Sequence, residues 1–368
     1  MRITIKRSVI LAVAIALFPS PVLANSLTPV IEAAFVHLLV GNFLLGAVEG
    51  FLLSKWFGTP RGNSQAILVV ANYASALLGH ILLANRLSTM PQVTLENVLV
   101  WLWIFVAIAF VLTLLIEYPF FWLLLRKQEK AFRKSLKATI VIHCISYLLL
   151  FGWYATSSVT SMANQLDVVP VVQLQPNEEY LLYFISSDGK QVVRSDLEGK
   201  QQEIVKELRK IEKNPALFMC KNQEGQIDLV AKEGMLKEIV LSDFTHSLPT
   251  LKYANSGFNS PLMDSKNPCY SNMSGMVPKL TENTNWDYQT VFWATRGIMG
   301  DNKANLSSFN FGLETPFAWW YVRHATHLEG DYAVFQLGED GVYILQPQEK
   351  KIALITRGRS PVVIKPKR

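Results

Sequence analysis

Before residue 157 the chain runs four times through apolar stretches, near residues 28–57, 65–86, 96–125 and 136–156. Each exceeds the ~20 residues that a helix rising ~1.5 Å per residue needs to cross hydrocarbon. In a bilayer every backbone amide must be satisfied internally, so stretches of this kind fold as helices. The predicted fold class is a membrane α-helical domain of four spanning helices, built as two duplicated hairpins. It precedes a C-terminal all-β extracytoplasmic domain, meander or small propeller-like. The expected division is a signal peptide over 1–24, a transmembrane domain over 25–156, a linker over 157–178 and the β domain over 179–368.

Charge placement gives the topology. The sequence pI of about 9.0 invites a nucleic-acid reading. The distribution excludes it: residues 165–368 carry 23 Lys and Arg against 24 Asp and Glu, whereas residues 1–164 carry 12 against 5. The basic excess therefore lies beside the apolar stretches, where it orients helices. Lys55 and Arg61 flank the first turn, and Arg126, Lys127, Lys130, Arg133, Lys134 and Lys137 crowd the second. The loop between the hairpins has only Arg86 and Glu96. Both turns are expected inside and the middle loop outside. Arg2, Lys6 and Arg7, the short apolar run Ser8–Phe18 and the Pro19-Ser20-Pro21 break read as a secretory signal, which leaves the first helix starting outside. The chain is thus expected in the cytoplasmic membrane, multi-pass, with its C-terminal domain extracytoplasmic.

The two hairpins share a motif. Ser64, Asn72, Ser75, Leu77 and Leu78 align without a gap to Ser135, His143, Ser146, Leu148 and Leu149 at an offset of 71. Upstream, Glu49 and Glu117 are 68 apart, so the second turn is three residues longer. At ~1.5 Å per residue these acids, the amide and the imidazole lie roughly 9–18 Å from the turns and belong to one layer. A carboxylate in hydrocarbon costs about 2.5–3.5 kcal/mol on insertion scales, so both acids are expected to face inward. Glu49, Asn72, Ser75, Glu117, His143 and Ser146 form the candidate intramembrane polar site. Two readings stay open: a site for a cation, a proton or a lipid headgroup, or polar contacts that join the helices. Gly46 and Gly50 form a small-xxx-small pair that permits close helix contact. Pro119 is expected to kink the third helix.

After Tyr180 the pattern changes to short alternating segments. Leu181–Ile185, Asp188-Gly189 and Gln191–Arg194 read as strand, turn and strand. The pattern recurs around Glu224-Gly225 and Asp340-Gly341, each time with a third strand after it. Glycine at these turns is expected to supply a positive φ. If degenerate turns lie near Asp264-Ser265 and Asp301-Asn302, five blades of about 38 residues fill the domain.

Other chemistry is sparse. Cys220 and Cys269 are the candidate disulfide pair in an oxidising compartment, and Cys144 is expected to pack. His324 and His327 form an H-x-x-H on the expected strand Trp319–Leu328, where positions three apart point to opposite faces. Phe317, Trp319, Trp320 and Tyr321 read as core, with a ligand groove as the alternative. Asn272 and Asn305 head glycosylation sequons. No P-loop, GxSxG, HExxH or CxxC occurs, and no pattern names a cofactor. The expected partners are the lipid bilayer and an extracytoplasmic protein or ligand that the β domain binds. The expected function is that binding, in an anchoring, sensing or assembly role; the alternative is an intramembrane ion-, proton- or lipid-handling module that uses the twin motif.

Overall fold

The structure is a computed structural model that describes residues 36–157, 166–209, 215–245, 269–270, 275–282, 284–290, 297–315 and 317–366. The signal segment 1–24 lies outside these residues, as do part of the expected linker, Asp264-Ser265 and Asn272. The described chain forms two compact units.

The first unit is helical. Helices α1 (Asn42–Phe57), α2 (Arg61–Leu83), α3 (Val98–Leu125) and α4 (Ala131–Ser157) form it, with a π-helical turn His37–Gly41 ahead of α1. All four are long and apolar enough to cross a membrane. Their outer surface is apolar: Leu77, Leu115 and Leu148 are 62%, 67% and 72% exposed. Gly58 ends α1 in the left-handed region at φ 68°, its N–H donating to the Ser54 carbonyl. Helix α4 begins at Ala131, so Arg133, Lys134 and Lys137 sit on its first turns and not in the connection. Lysine and arginine are good helix formers, and polar flanks do not stop a helix. The α3 helix continues through Pro119 without interruption.

The second unit is all-β, and Ser88–Glu96 belongs to it. Its strands are β1 (Asp167–Val168), β2 (Leu181–Ile185), β3 (Gln191–Ser195) and β4 (Glu203–Glu207). Then come β5 (Ala216–Lys221), β6 (Ile227–Glu233), β7 (Leu236–Thr245), β8 (Cys269–Tyr270) and β9 (Gly275–Met276). β10 (Trp286–Thr290), β11 (Ile298–Asn302) and β12 (Ser308–Phe311) follow, and then the paired β13 (Leu313–Thr315) and β14 (Ala318–Trp320), of which Glu314–Ala318 belongs to the first unit. The last are β15 (Val322–His327), β16 (Ala333–Leu337), β17 (Gly341–Gln346), β18 (Lys351–Arg357) and β19 (Arg359–Ile364).

They form small sheets arranged like a four-blade propeller: β19-β2-β3-β4, β7-β6-β5-β8, β12-β11-β10-β9 and β1-β18-β17-β16-β15. The five-blade expectation is corrected. The 116 residues between the second and third glycine turns hold one described blade and the β13–β14 hairpin. The last strand, β19, pairs antiparallel with β2 and completes the first blade. That pairing explains the apolar run of β2. Tyr183 and Ile185 pack with Leu217, Leu229 and Val240, while Leu182 and Phe184 pack with Val334, Val342 and Ile344. Both faces of the strand are thus covered.

Gly189 and Gly225 have φ of 78° and 85°, as expected of their turns. At the third hairpin the left-handed glycine is Gly338 (φ 70°), not Gly341. A Cβ on Gly341 would come within 2.6 Å of the Tyr343 ring, so a close approach accounts for that glycine.

Candidate functional site

The site starts from two glycines. A Cβ on Gly46 would stand 2.5 Å from the Val69 Cα, and one on Gly50 2.5 Å from the Gln65 Cα. Only glycine lets the α1 and α2 backbones meet this closely. Glu49, between them, is therefore held against α2 and is 1% exposed.

Six polar side chains from four helices converge there. Asn72 Nδ2 donates to Glu49 Oε2 at 2.7 Å, and Ser146 Oγ donates to Glu49 Oε1 at 2.5 Å. Ser75 Oγ donates to Glu117 Oε1 at 2.5 Å. His143 Nε2 lies 3.3 Å from Glu117 Oε2. Each acid thus faces the amide or imidazole of its own hairpin and takes a hydroxyl from the other hairpin. Glu117 and His143 are each 1% exposed. Single ligand atoms of Glu49, Glu117 and His143 all lie within 4.8 Å of one another. No other such group of three His, Cys, Asp or Glu occurs among the described residues.

The His143 tautomer follows from its partner. Nδ1 lies 2.8 Å from the Thr139 carbonyl, which only accepts, so Nδ1 carries a proton and Nε2 is the ring nitrogen turned toward Glu117. Glu117 Oε2 and His143 Nε2 are 3.3 Å apart but badly aligned, and neither has a hydrogen-bond partner.

The surroundings differ at the two ends. Toward the hairpin turns, Leu53, Leu68, Phe121, Leu125 and Ile142 form a fully buried apolar layer. The Phe121 ring lies 5.5 Å from the His143 ring. Toward the opposite end the helices carry polar groups. Thr113 and Tyr147 share a 3.0 Å hydrogen bond, and His37 Nδ1 lies 2.9 Å from the Tyr154 hydroxyl. Sequence reasoning missed Thr113 and Tyr147. The signal was present, because they lie four residues from Glu117 and His143 on the same helix faces.

The two halves are not identical. Ser64 Oγ donates to Thr59 Oγ1 and to the Pro60 carbonyl at 2.7 and 2.9 Å. Its counterpart Ser135 is fully buried with no hydrogen bond from its hydroxyl. The first turn supplies Thr59 and Pro60, and the longer second turn places no equivalent acceptor there. Cys144, expected to pack, is exposed. It follows the buried His143, and a one-residue step turns a helix by about 100°.

In the β unit, Cys220 and Cys269 are disulfide-bonded across the β5–β8 pair. The expected single strand Trp319–Leu328 is two, because β14 pairs with β13 and β15 with β16, and Tyr321 falls between them. His324 adopts φ 51° in a bulge, and the β15–β16 register slips between Arg323 and Thr326. His324 Nδ1 lies 3.5 Å from Ser360 Oγ, while His327 Nε2 lies 3.0 Å from the Gly330 carbonyl. The two imidazoles thus serve separate contacts. Burial holds both below the ordinary histidine value, His324 at about 3 and His327 at about 4. Trp320 is 6% exposed. Phe317 belongs to the first unit, where its ring lies 5.8 Å from the Phe105 ring. A small recess in this unit is lined by Ser88, Thr94, Trp320, Glu339, Tyr343 and Arg357.

Compared with known proteins, the chain matches no protein-family model and no curated protein sequence.

Proposed function

We propose that this chain is a multi-pass protein of the cytoplasmic membrane whose helical unit, a duplicated pair of hairpins, handles a cation, a proton or a lipid headgroup. The observation that carries this reading is the convergence of Glu49, Asn72, Ser75, Glu117, His143 and Ser146 from four helices onto one buried network. Two buried acids share a layer with an imidazole, and Glu117 Oε2 and His143 Nε2 face each other at 3.3 Å without a hydrogen bond. Intramembrane ionisable groups of this kind mark pathways and sites. The basic turns and the apolar outer surface support the membrane placement, with the β unit outside as a lid or regulator. The apolar layer at the turns then closes the site toward the cytoplasm, and the polar end faces outward.

Native mass spectrometry of the detergent-purified protein tests this reading beside Glu49→Gln/Glu117→Gln. A bound ion or lipid in the wild type, lost from a folded double variant, is the expected result. Equal spectra and an equally or more stable variant would reduce the network to helix contacts.

A second reading places binding of an extracytoplasmic partner or ligand in the β unit, with the helices as its anchor. The recess beside Ser88 and Thr94 favours it. A photo-crosslinker at Thr94 that captures one discrete species in native membranes supports this reading, and diffuse or absent labelling speaks against it.

A further inference from the structure

Resting on the intramembrane-site reading, we infer that the ligand of this site is a divalent first-row transition metal of the zinc class, held by Glu49, Glu117 and His143. Two buried polar atoms face each other in this layer without a hydrogen bond. His143 Nδ1 donates to the Thr139 carbonyl, which turns Nε2 toward Glu117. Glu117 Oε2 lies 3.3 Å from Nε2. Both atoms are buried and neither makes a hydrogen bond. Buried polar atoms left without a hydrogen bond are costly, and a metal ion held by both, with the ring neutral, satisfies them together.

The spacing agrees. Metal–ligand bonds of ~2.0–2.1 Å in a tetrahedral site set neighbouring ligand atoms about 3.3 Å apart. The His143–Glu117 separation has this value, and the Glu49 carboxylate lies within 4.8 Å of both partners. The ligand set is one imidazole and two carboxylates. Nitrogen in the set points away from calcium and magnesium, which take oxygen cages, and toward zinc and its neighbours. Three protein ligands leave a fourth position for water.

The surrounding contacts are those that metal ligands need. The second ring nitrogen of His143 is fixed by a backbone carbonyl, which orients the ring. Ser75 holds Glu117 by Oε1 and leaves Oε2 toward the imidazole. Asn72 and Ser146 hold the two oxygens of Glu49.

The test uses the full chain in detergent, stripped with chelator, loaded with Zn2+ and desalted. One zinc per chain is expected. Affinity should fall at least tenfold in His143→Ala and in Glu117→Gln, and about tenfold in Ser75→Ala, whereas His37→Ala should bind as wild type. X-ray absorption at the zinc edge of the wild type requires no variant to fold, and should show a nitrogen and oxygen shell with a single imidazole. Absence of zinc after loading, undiminished affinity in both ligand variants, or a shell with sulfur or several imidazoles would overturn the inference. A lipid or monovalent ion that Glu49→Gln/Glu117→Gln loses, with no zinc in the wild type, would overturn the metal while sparing the intramembrane site.

Discussion

Ser146 on α4 donates a 2.5 Å hydrogen bond to Glu49 on α1, and so ties the second hairpin to the first. Ser75 on α2 makes the corresponding bond to Glu117 on α3. Neither bond has water to replace it in a buried layer. Ser146→Ala should therefore lower the unfolding free energy by about 1 kcal/mol, with about 2 kcal/mol as the upper end. A double-mutant cycle with Glu49→Ala, read from reversible unfolding in mixed micelles, isolates the pair. The serine substitution should cost almost nothing once Glu49 is gone. An undiminished cost in that background would place the effect of Ser146 elsewhere, for instance in its 3.2 Å bond to the Ile142 carbonyl.

The α1–α2 contact should tolerate no added methyl at its two glycines. The obstructing atoms at Gly46 and Gly50 are backbone, so no side chain can yield. Gly50→Ala should cost about 1–3 kcal/mol, as overpacking does. Gly79, on the same α2 helix, has nothing within 4 Å of its Cβ position. Gly79→Ala should be neutral or stabilising by up to about 1 kcal/mol, through helix propensity alone. Thermal melts of the three proteins side by side decide the matter. Similar behaviour of Gly50→Ala and Gly79→Ala would mean that the helices do not approach as closely as described.

Much of this site was legible in the sequence, for a physical reason. An offset shared by Ser64, Asn72 and Ser75 with Ser135, His143 and Ser146 implies one local geometry used twice, and a buried acid must seek a donor. That predicts Asn72 near Glu49. The crossed serine bonds were not legible, because helical periodicity gives the face of a residue but not which helix stands opposite. The blade number was lost in a similar way. β19 completes the first blade by pairing with β2 across most of the unit, and no repeat count reveals a pairing so distant in sequence. The break at Tyr321 and the bulge at His324 left no trace either, since no glycine or proline marks them.

The Cys220–Cys269 disulfide closes a loop with a sequence separation of 49. The chain-entropy model gives about 4 kcal/mol for a loop of this length. Cys220→Ser/Cys269→Ser should therefore show a large loss of β-unit stability, seen as a lower urea midpoint of the β-sheet amide I band. The helical unit contains neither cysteine, so helical ellipticity in micelles should persist where the β-sheet transition moves. An unchanged midpoint would mean that the β5–β8 pairing, and not the covalent bond, holds β8 in place.

Acid should weaken the β unit through its buried histidines. Burial holds His327 at about 4, with the Gly330 carbonyl opposing that shift and Lys279 reinforcing it. In the unfolded chain the same ring takes its proton near 6.5. Above that pH both states are neutral, and the residue contributes no pH dependence. Between about 6.5 and 4 the unfolded state binds the proton and the folded state does not, so folding weakens as pH falls. The full loss is roughly 3 kcal/mol by pH 4, and it levels off below that. His324, lowered first by burial and then by Arg323, adds to the slope with the same sign. Asp331, raised by burial, has the opposite sign and offsets part of it. A comparison of wild type with His327→Gln cancels both of these contributions. Urea midpoints at pH 7 and at pH 4.5 should then diverge for the wild type and lie closer together for the variant. Equal pH slopes in the two proteins would show that burial does not hold His327 below its unfolded value, and that the ring takes up its proton as readily in the folded state as in the unfolded chain.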